Sequence, residues 1–273
     1  MKPSSTLGQA IPINGMEMYF EIQGDGEPLV LLHGGGGVGS NWELIFKEPP
    51  ARYQLIVPDL RGHGRSTNPS LEFTFRQSAL DVFAMLDHLG IERFKAVGMS
   101  MGAKTLLHMA TQQPERIKAM VLVSGTPYFP EPARSIMRQL SSDNHTDAEW
   151  QHMRQWHKHG NEQIRALWRM GNAFKDSYDD MNFTPPYLST ITARTLIVHG
   201  DRDPLYPVKM AMELYAAIPR SYLWIIPNGG HGPIFGNMAD QFVETSLAFL
   251  RGDWESEFDQ GLLGVELSKS PVT

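Results

Sequence analysis

The sequence predicts an α/β protein: a mainly parallel eight-stranded sheet flanked by helices, with a helical cap inserted after the sixth strand. Three observations carry this. Short apolar runs alternate with helix-period stretches along most of the chain, the pattern of strand–helix–strand units. Glycine, aspartate, serine and histidine gather where the apolar runs stop. From Pro127 to Thr192 the strand signals disappear, and tryptophan, methionine and histidine become dense.

Residues 11–21 read as two short strands about Asn14-Gly15, a strong hairpin dipeptide. Residues 28–32 are continuously apolar, as in a strand buried on both faces, and end in His33-Gly34-Gly35-Gly36-Gly37-Val38-Gly39. A helix is expected from Asn41, then a strand over 54–57 that runs into Asp59-Leu60-Arg61-Gly62-His63-Gly64-Arg65-Ser66. Ala79, Val82, Phe83, Leu86 and Leu89 keep helical spacing, and Gly90 supplies the stop. A strand over 94–97 leads into Gly98-Met99-Ser100-Met101-Gly102, followed by a helix over 101–112 and a strand over 119–123.

Within the insertion, Thr146 and Glu149 form a capping box before Trp150, Met153 and His157, and a second helix spans 161–174. Alternation then resumes: a strand over 195–198, a helix over 207–218, a strand over 222–226 and an amphipathic helix over 238–250. The expected organisation is a core in two parts, 1–126 and 193–252, a helical cap over 127–192, and a loosely ordered tail over 253–273. In a parallel sheet the reactive loops lie beyond the carboxyl ends of the strands. His33, Asp59, Ser100, Ser124, Asp203 and His231 all follow strands here, so they should share one edge.

Bulk properties exclude several classes. Hydrophobic content of 41% and charged content of 20% suit a globular protein, and a net charge of −6 with no basic cluster argues against nucleic acid. No apolar stretch approaches a membrane span, and residues 1–10 lack the build of a signal peptide. The absence of cysteine excludes disulfides, thiolate metal sites and a cysteine nucleophile, and it fits a cytoplasmic protein.

The chemistry concentrates on Ser100. A serine between two glycines at a strand-to-helix turn fits the nucleophile elbow, where the sharp turn needs side-chain-free neighbours. A serine hydroxyl needs a base, and the base needs an orienting partner. His231 follows the last strand among glycines, and Asp203 follows the strand before it. The chain order is Ser…Asp…His.

On these residues the chain resembles the α/β-hydrolase family, specifically its cap-bearing esterase, lactonase and C–C-bond hydrolase group. The matching segments are His33-Gly34-Gly35-Gly36, residues 59–66, Gly98-x-Ser100-x-Gly102, Gly200-x-x-Asp203 and Gly230-His231. The resemblance implies Ser100 as nucleophile, His231 as general base and Asp203 as its orienter. It also implies an oxyanion hole from the backbone N–H groups of Gly35 and Met101. It further implies a small-molecule substrate and neither cofactor nor metal. Cleavage of an ester or lactone is the expected reaction. C–C hydrolysis, perhydrolysis and amide cleavage use the same triad, and a ligand-sensing receptor with slow hydrolysis keeps the same residues.

Other readings are weaker. Gly34-x-Gly36-x-x-Gly39 with Asp59 fits a dinucleotide-binding fingerprint, but that reading leaves Ser100, Asp203 and His231 unexplained. Gly102-Ala103-Lys104-Thr105 resembles the end of a phosphate-binding loop, but Ala103 breaks the Gly-Lys pair. Asp201 competes with Asp203 as the triad acid, with the family spacing favouring Asp203. His33 and His63 read as loop-shaping residues, and Ser124 as a strand-end turn residue. His152, His157 and His159 do not share a helical face, so no metal is expected. Trp150, Trp156 and Trp168 are candidates for lining an apolar substrate pocket, or for packing the cap on the core.

Overall fold

A computed structural model describes residues 7–140 and 145–255 of the chain. The amino-terminal stretch before Leu7, and the part of the expected loose tail beyond Glu255, lie outside the described residues. Strands β1 (Leu7–Ile13) and β2 (Met16–Gly24) pair antiparallel. Asn14 and Gly15 between them have φ of 43° and 74°, the left-handed values a two-residue hairpin turn needs. The other strands are β3 (Glu27–Leu32), β4 (Tyr53–Pro58), β5 (Phe94–Met99), β6 (Ile117–Val123), β7 (Arg194–Gly200) and β8 (Ser221–Ile226).

The eight strands form one sheet in the order β1-β2-β4-β3-β5-β6-β7-β8. β2 meets β4 antiparallel, and every pairing from β4 through β8 is parallel. β3 therefore sits where the winding direction reverses, with β4 on one side and β5 on the other. Loops leaving β3 and β5 diverge there and open a crevice at the carboxyl edge.

Helices α1 (Phe75–His88) and α2 (Met101–Gln112) precede β6. Residues between β6 and β7 contribute no strand to the sheet. They carry α3 (Glu131–Gln139), α4 (Asp147–Trp156), α5 (Asn161–Ala173) and the short α6 (Pro185–Leu188). After β7 come α7 (Val208–Ala217) and α8 (Ala239–Arg251). Among the described residues no helix is long and apolar enough to cross a membrane.

Strand alternation divides the core into two layers. Val30, Leu32, Ala96, Met120, Leu122 and Ile197 face α1, α2 and α7. Leu29, Leu31, Val97, Val121, Val123 and Val198 face Trp42, Phe46 and the α8 residues Phe242, Phe249 and Leu250. Each buried aliphatic side chain contributes about 1.5–3 kcal/mol. A one-residue register slip would exchange the two layers, so the pairing is strongly specified.

One expected element differs. The helix from Asn41 is a single 3-10 segment, Gly39–Leu44. Asn41 Oδ1 accepts the Val38 N–H at 2.9 Å, a local side-chain bond that favours a turn, and Pro49-Pro50 leaves little room for a longer helix.

Candidate active site

Ser100 is delivered by β5 and α2 in a strained backbone, φ 49° and ψ −103°. The crowding around it explains both glycines. A Cβ on Gly98 would lie 2.6 Å from the backbone of Gly102, and one on Gly102 would lie 2.1 Å from the Leu32 carbonyl oxygen. The Gly102 N–H donates to the His33 carbonyl at 3.0 Å, tying the turn to the loop after β3.

Ser100 Oγ and His231 Nε2 are 2.8 Å apart, and His231 Nδ1 is 2.8 Å from Asp203 Oδ2. The Asp203 side chain is fully buried, and that burial pushes its carboxyl up. The His231 hydrogen bond and charge, with N–H donors from Leu205 (2.8 Å) and Tyr206 (3.1 Å), outweigh burial and hold it below the usual aspartate range. Asp203 is thus an anion facing the imidazole. Asp201 points elsewhere and lies 4.0 Å from Arg202.

Ser124 donates its Oγ–H to the His231 carbonyl at 2.8 Å, and its own N–H bonds the Val198 carbonyl at 2.9 Å. It holds the backbone of the histidine loop rather than touching the imidazole. The turn-residue reading of Ser124 missed this anchoring, because the partner lies 107 positions away.

The loop after β3 lies over Ser100: a Cβ on Gly34 would sit 3.6 Å from the serine Cβ, and one on Gly35 3.3 Å from the Met101 methyl. Among the described residues, the N–H groups of Gly35 and Met101 have no protein acceptor. Three neutral histidines support this loop. His33 Nε2 accepts the Leu60 N–H at 2.9 Å, and His63 Nε2 accepts the Gly36 N–H at 3.2 Å. His157, at the end of α4, accepts the Gly64 N–H through Nδ1 (2.9 Å) and donates to the Gly36 carbonyl through Nε2 (3.2 Å). Burial pushes His33 and His157 down to about 4, and His63 well below its usual value. All three are structural hydrogen-bonding groups. Among the described residues there is no cluster of side chains fit to hold a metal.

Asp59 is equally committed. Its Oδ1 accepts the Gly39 N–H and its Oδ2 the Arg65 N–H, both at 2.8 Å. It closes its own loop, as Gly64 attests: a Cβ there would lie 2.0 Å from the carboxylate. A ribose-binding acid would have to be free, and β3 is followed by a 3-10 segment instead of the helix a dinucleotide site uses.

A cavity of about 400 Å³ opens at Ser100 and His231, walled by Phe75, Met99, Phe129, Met137, Trp168 and Phe174. Of the three tryptophans singled out from sequence, only Trp168 borders it. Trp150 packs edge-on against Trp168 at 4.5 Å, and Trp156 lies in a separate crevice beside Asp59 and Arg65. The placement corrects the pocket reading for Trp150 and Trp156: neither borders the cavity, although Met153, between them on α4, does, so of the three only Trp168 keeps that reading. A second cavity of about 480 Å³, lined by Arg61, Asn68 and Arg169, shares Leu167 and Met170 with the first but contains none of Ser100, Asp203 and His231.

Two wall residues were not anticipated as site residues. Lys104, one turn along α2 from Ser100, and Tyr206, three residues past Asp203, both border the first cavity.

This sheet order, with its elbow serine and hydrogen-bonded histidine, defines a hydrolase-type α/β architecture. The chain belongs to the alpha/beta hydrolase fold family, whose model matches residues 27–167. It is 29% identical to a putative non-heme chloroperoxidase of Synechocystis sp., over 91% of this chain and all of that protein. It is 27% identical to a pimeloyl-[acyl-carrier protein] methyl ester esterase of Vibrio vulnificus, over 85% of this chain and 98% of the esterase. Among solved structures, a serine hydrolase involved in carbazole degradation superposes with a TM-score of 0.73 at 23% identity, covering 90% of this chain and 99% of its own.

Proposed function

We propose that the protein is a serine hydrolase that cleaves a small carboxylic ester, lactone or related carbonyl compound through an acyl-enzyme on Ser100. The observation that carries this is the continuous chain from Ser100 Oγ through His231 to buried Asp203, each link 2.8 Å long. In this reading Ser100 Oγ attacks the carbonyl carbon while His231 Nε2 takes its proton, and Asp203 stabilises the imidazolium. The Gly35 and Met101 N–H groups, which have no protein acceptor among the described residues, bind the oxyanion of the tetrahedral intermediate. His231 returns the proton to the leaving alcohol. Water, deprotonated by the same imidazole, then releases the acid. Residues 127–192 act as the cap that shapes the substrate cavity, on a core formed by 1–126 and 193–252. The likeness to a methyl ester esterase supports carboxylic esters as the substrate class.

Ser100→Ala is expected to lower kcat/KM on p-nitrophenyl esters by about 10⁴-fold or more with an unchanged unfolding midpoint. Undiminished turnover would refute the assignment, and single-turnover labelling of Ser100 without release would point to a ligand-sensing protein. Perhydrolysis, in which hydrogen peroxide replaces water at the acyl-enzyme, is favoured by the likeness to a putative chloroperoxidase. Peracid formation on adding peroxide to the ester assay separates the two.

A further inference from the structure

Lys104 is a lysine in a place that opposes its charge. The residue is 3% exposed and lies in the first turn of α2, where the partial positive charge of the helix N-terminus repels a cation. Its Nζ donates to Tyr206 Oη at 2.9 Å. The rings of Phe75 and Phe129 flank it at 5.3 and 5.4 Å, and the centroid of the Tyr206 ring lies 4.9 Å away, on the far side of the hydroxyl. Among the described residues no carboxylate comes within ion-pair distance of it. Asp203 attracts it from farther away, but both oxygens of that carboxylate are engaged by His231, Leu205 and Tyr206. Burial pushes the ammonium down to about 7, with Asp203 opposing the shift. One ammonium hydrogen is thus used by a hydroxyl and the two phenylalanine rings offset part of the desolvation, while no anion completes the site.

Tyr206 completes the arrangement. Burial, with the Asp203 charge, pushes its phenol far up, so the hydroxyl stays neutral. Accepting from Lys104, it keeps its own hydrogen to donate. Its ring packs edge-on against His231 at 5.3 Å. With Nζ 4.9 Å from that ring, the ammonium is at most about 10 Å from the imidazole. Lys104 and Tyr206 wall the same cavity as Ser100 and His231.

We propose that Lys104 and Tyr206 form an anion-binding subsite, selecting substrates that carry a carboxylate a short carbon chain away from the carbonyl that Ser100 attacks. This rests on the serine-hydrolase reading for the reaction and on the Lys104 surroundings for the selectivity. The ammonium and the phenol hydrogen both donate to the substrate anion, the apolar walls hold the chain between, and neither group exchanges a proton with the reacting atoms. Lys104 and Tyr206 are specificity residues.

The test pairs methyl hemi-esters of succinic, glutaric and adipic acids with the methyl esters of butyric, valeric and caproic acids. The native protein should favour the best hemi-ester over its neutral counterpart by at least about tenfold in kcat/KM, and Lys104→Met should lower that ratio by about tenfold or more, to unity or below. Lys104→Arg should restore part of it, and Tyr206→Phe should reduce it less. A native protein that cleaves neutral esters without preferring any hemi-ester overturns the subsite and leaves the hydrolase reading standing. Calorimetric titration of monomethyl glutarate into Ser100→Ala, with and without Lys104→Met, reads the subsite independently of turnover. A loss of at least about tenfold in affinity supports it, and equal affinity overturns it.

Discussion

Gly102 has no room for a methyl group. The Leu32 carbonyl, 2.1 Å from where a Cβ would lie, belongs to the central strand and cannot swing away like a side chain. Gly102→Ala should therefore destabilise the protein by about 1–3 kcal/mol and displace the loop that carries Gly35. The denaturant midpoint and the ester turnover should fall together, and an unchanged midpoint would mean that β3 yields. This crowding is why Ser100 was legible in the sequence: the two glycines are consequences of the close approach they permit. Asp203 and His231 were legible for a similar reason, each following a strand at a family spacing. Lys104 was not, because its meaning depends on Tyr206, 102 positions away, and on rings from α1 and the insertion. Its position one turn beyond a candidate nucleophile, on the same helical face, was the available clue.

At the scale of elements, the strands could be read because burial on both faces leaves unbroken apolar runs. Helix α3 left no comparable trace. Pro130 and Pro132 flank its start, and the side chains it buries, Ala133, Arg134 and Met137, include a charged one. That arginine satisfies itself on the carbonyls of Phe129, Lys175 and Ser177, which no local pattern announces. The end of α4 carries a second hidden dependence. His157 bridges Gly64 and Gly36, so the insertion is fastened to the segment beside Gly35. His157→Leu would leave the buried Gly64 N–H without its acceptor, at a cost of about 1–3 kcal/mol. It should lower the melting temperature and, by loosening Gly36, reduce kcat more than it raises KM. A kcat equal to that of the native protein would show that the glycine loop holds its shape without the insertion.

Across the whole molecule, the histidines make stability depend on acid. His33 and His157 have values near 4 in the folded chain, and His63 lies well below its ordinary value. In the unfolded chain all three titrate near about 6.5. Between those limits the unfolded state binds more protons, so stability is fully present above about pH 6.5 and declines as pH falls toward 4. The slope reaches about 1.4 kcal/mol per pH unit for each histidine. Chemical denaturation at pH 7.5, 6 and 5 should give a progressively lower unfolding free energy, with the loss reduced in His157→Gln. A flat profile would mean that these histidines charge without disturbing the fold.

The cavity wall has one more consequence. Met99, Met101, Met137, Met153 and Met170 all border the space in front of Ser100. Thioethers are soft and conform to an apolar guest, but they are also the side chains that peroxide converts to polar sulfoxides. An oxidant admitted to this site would meet the lining as readily as the acyl group. The same wall that adapts to the substrate makes the enzyme's working life a function of its redox surroundings.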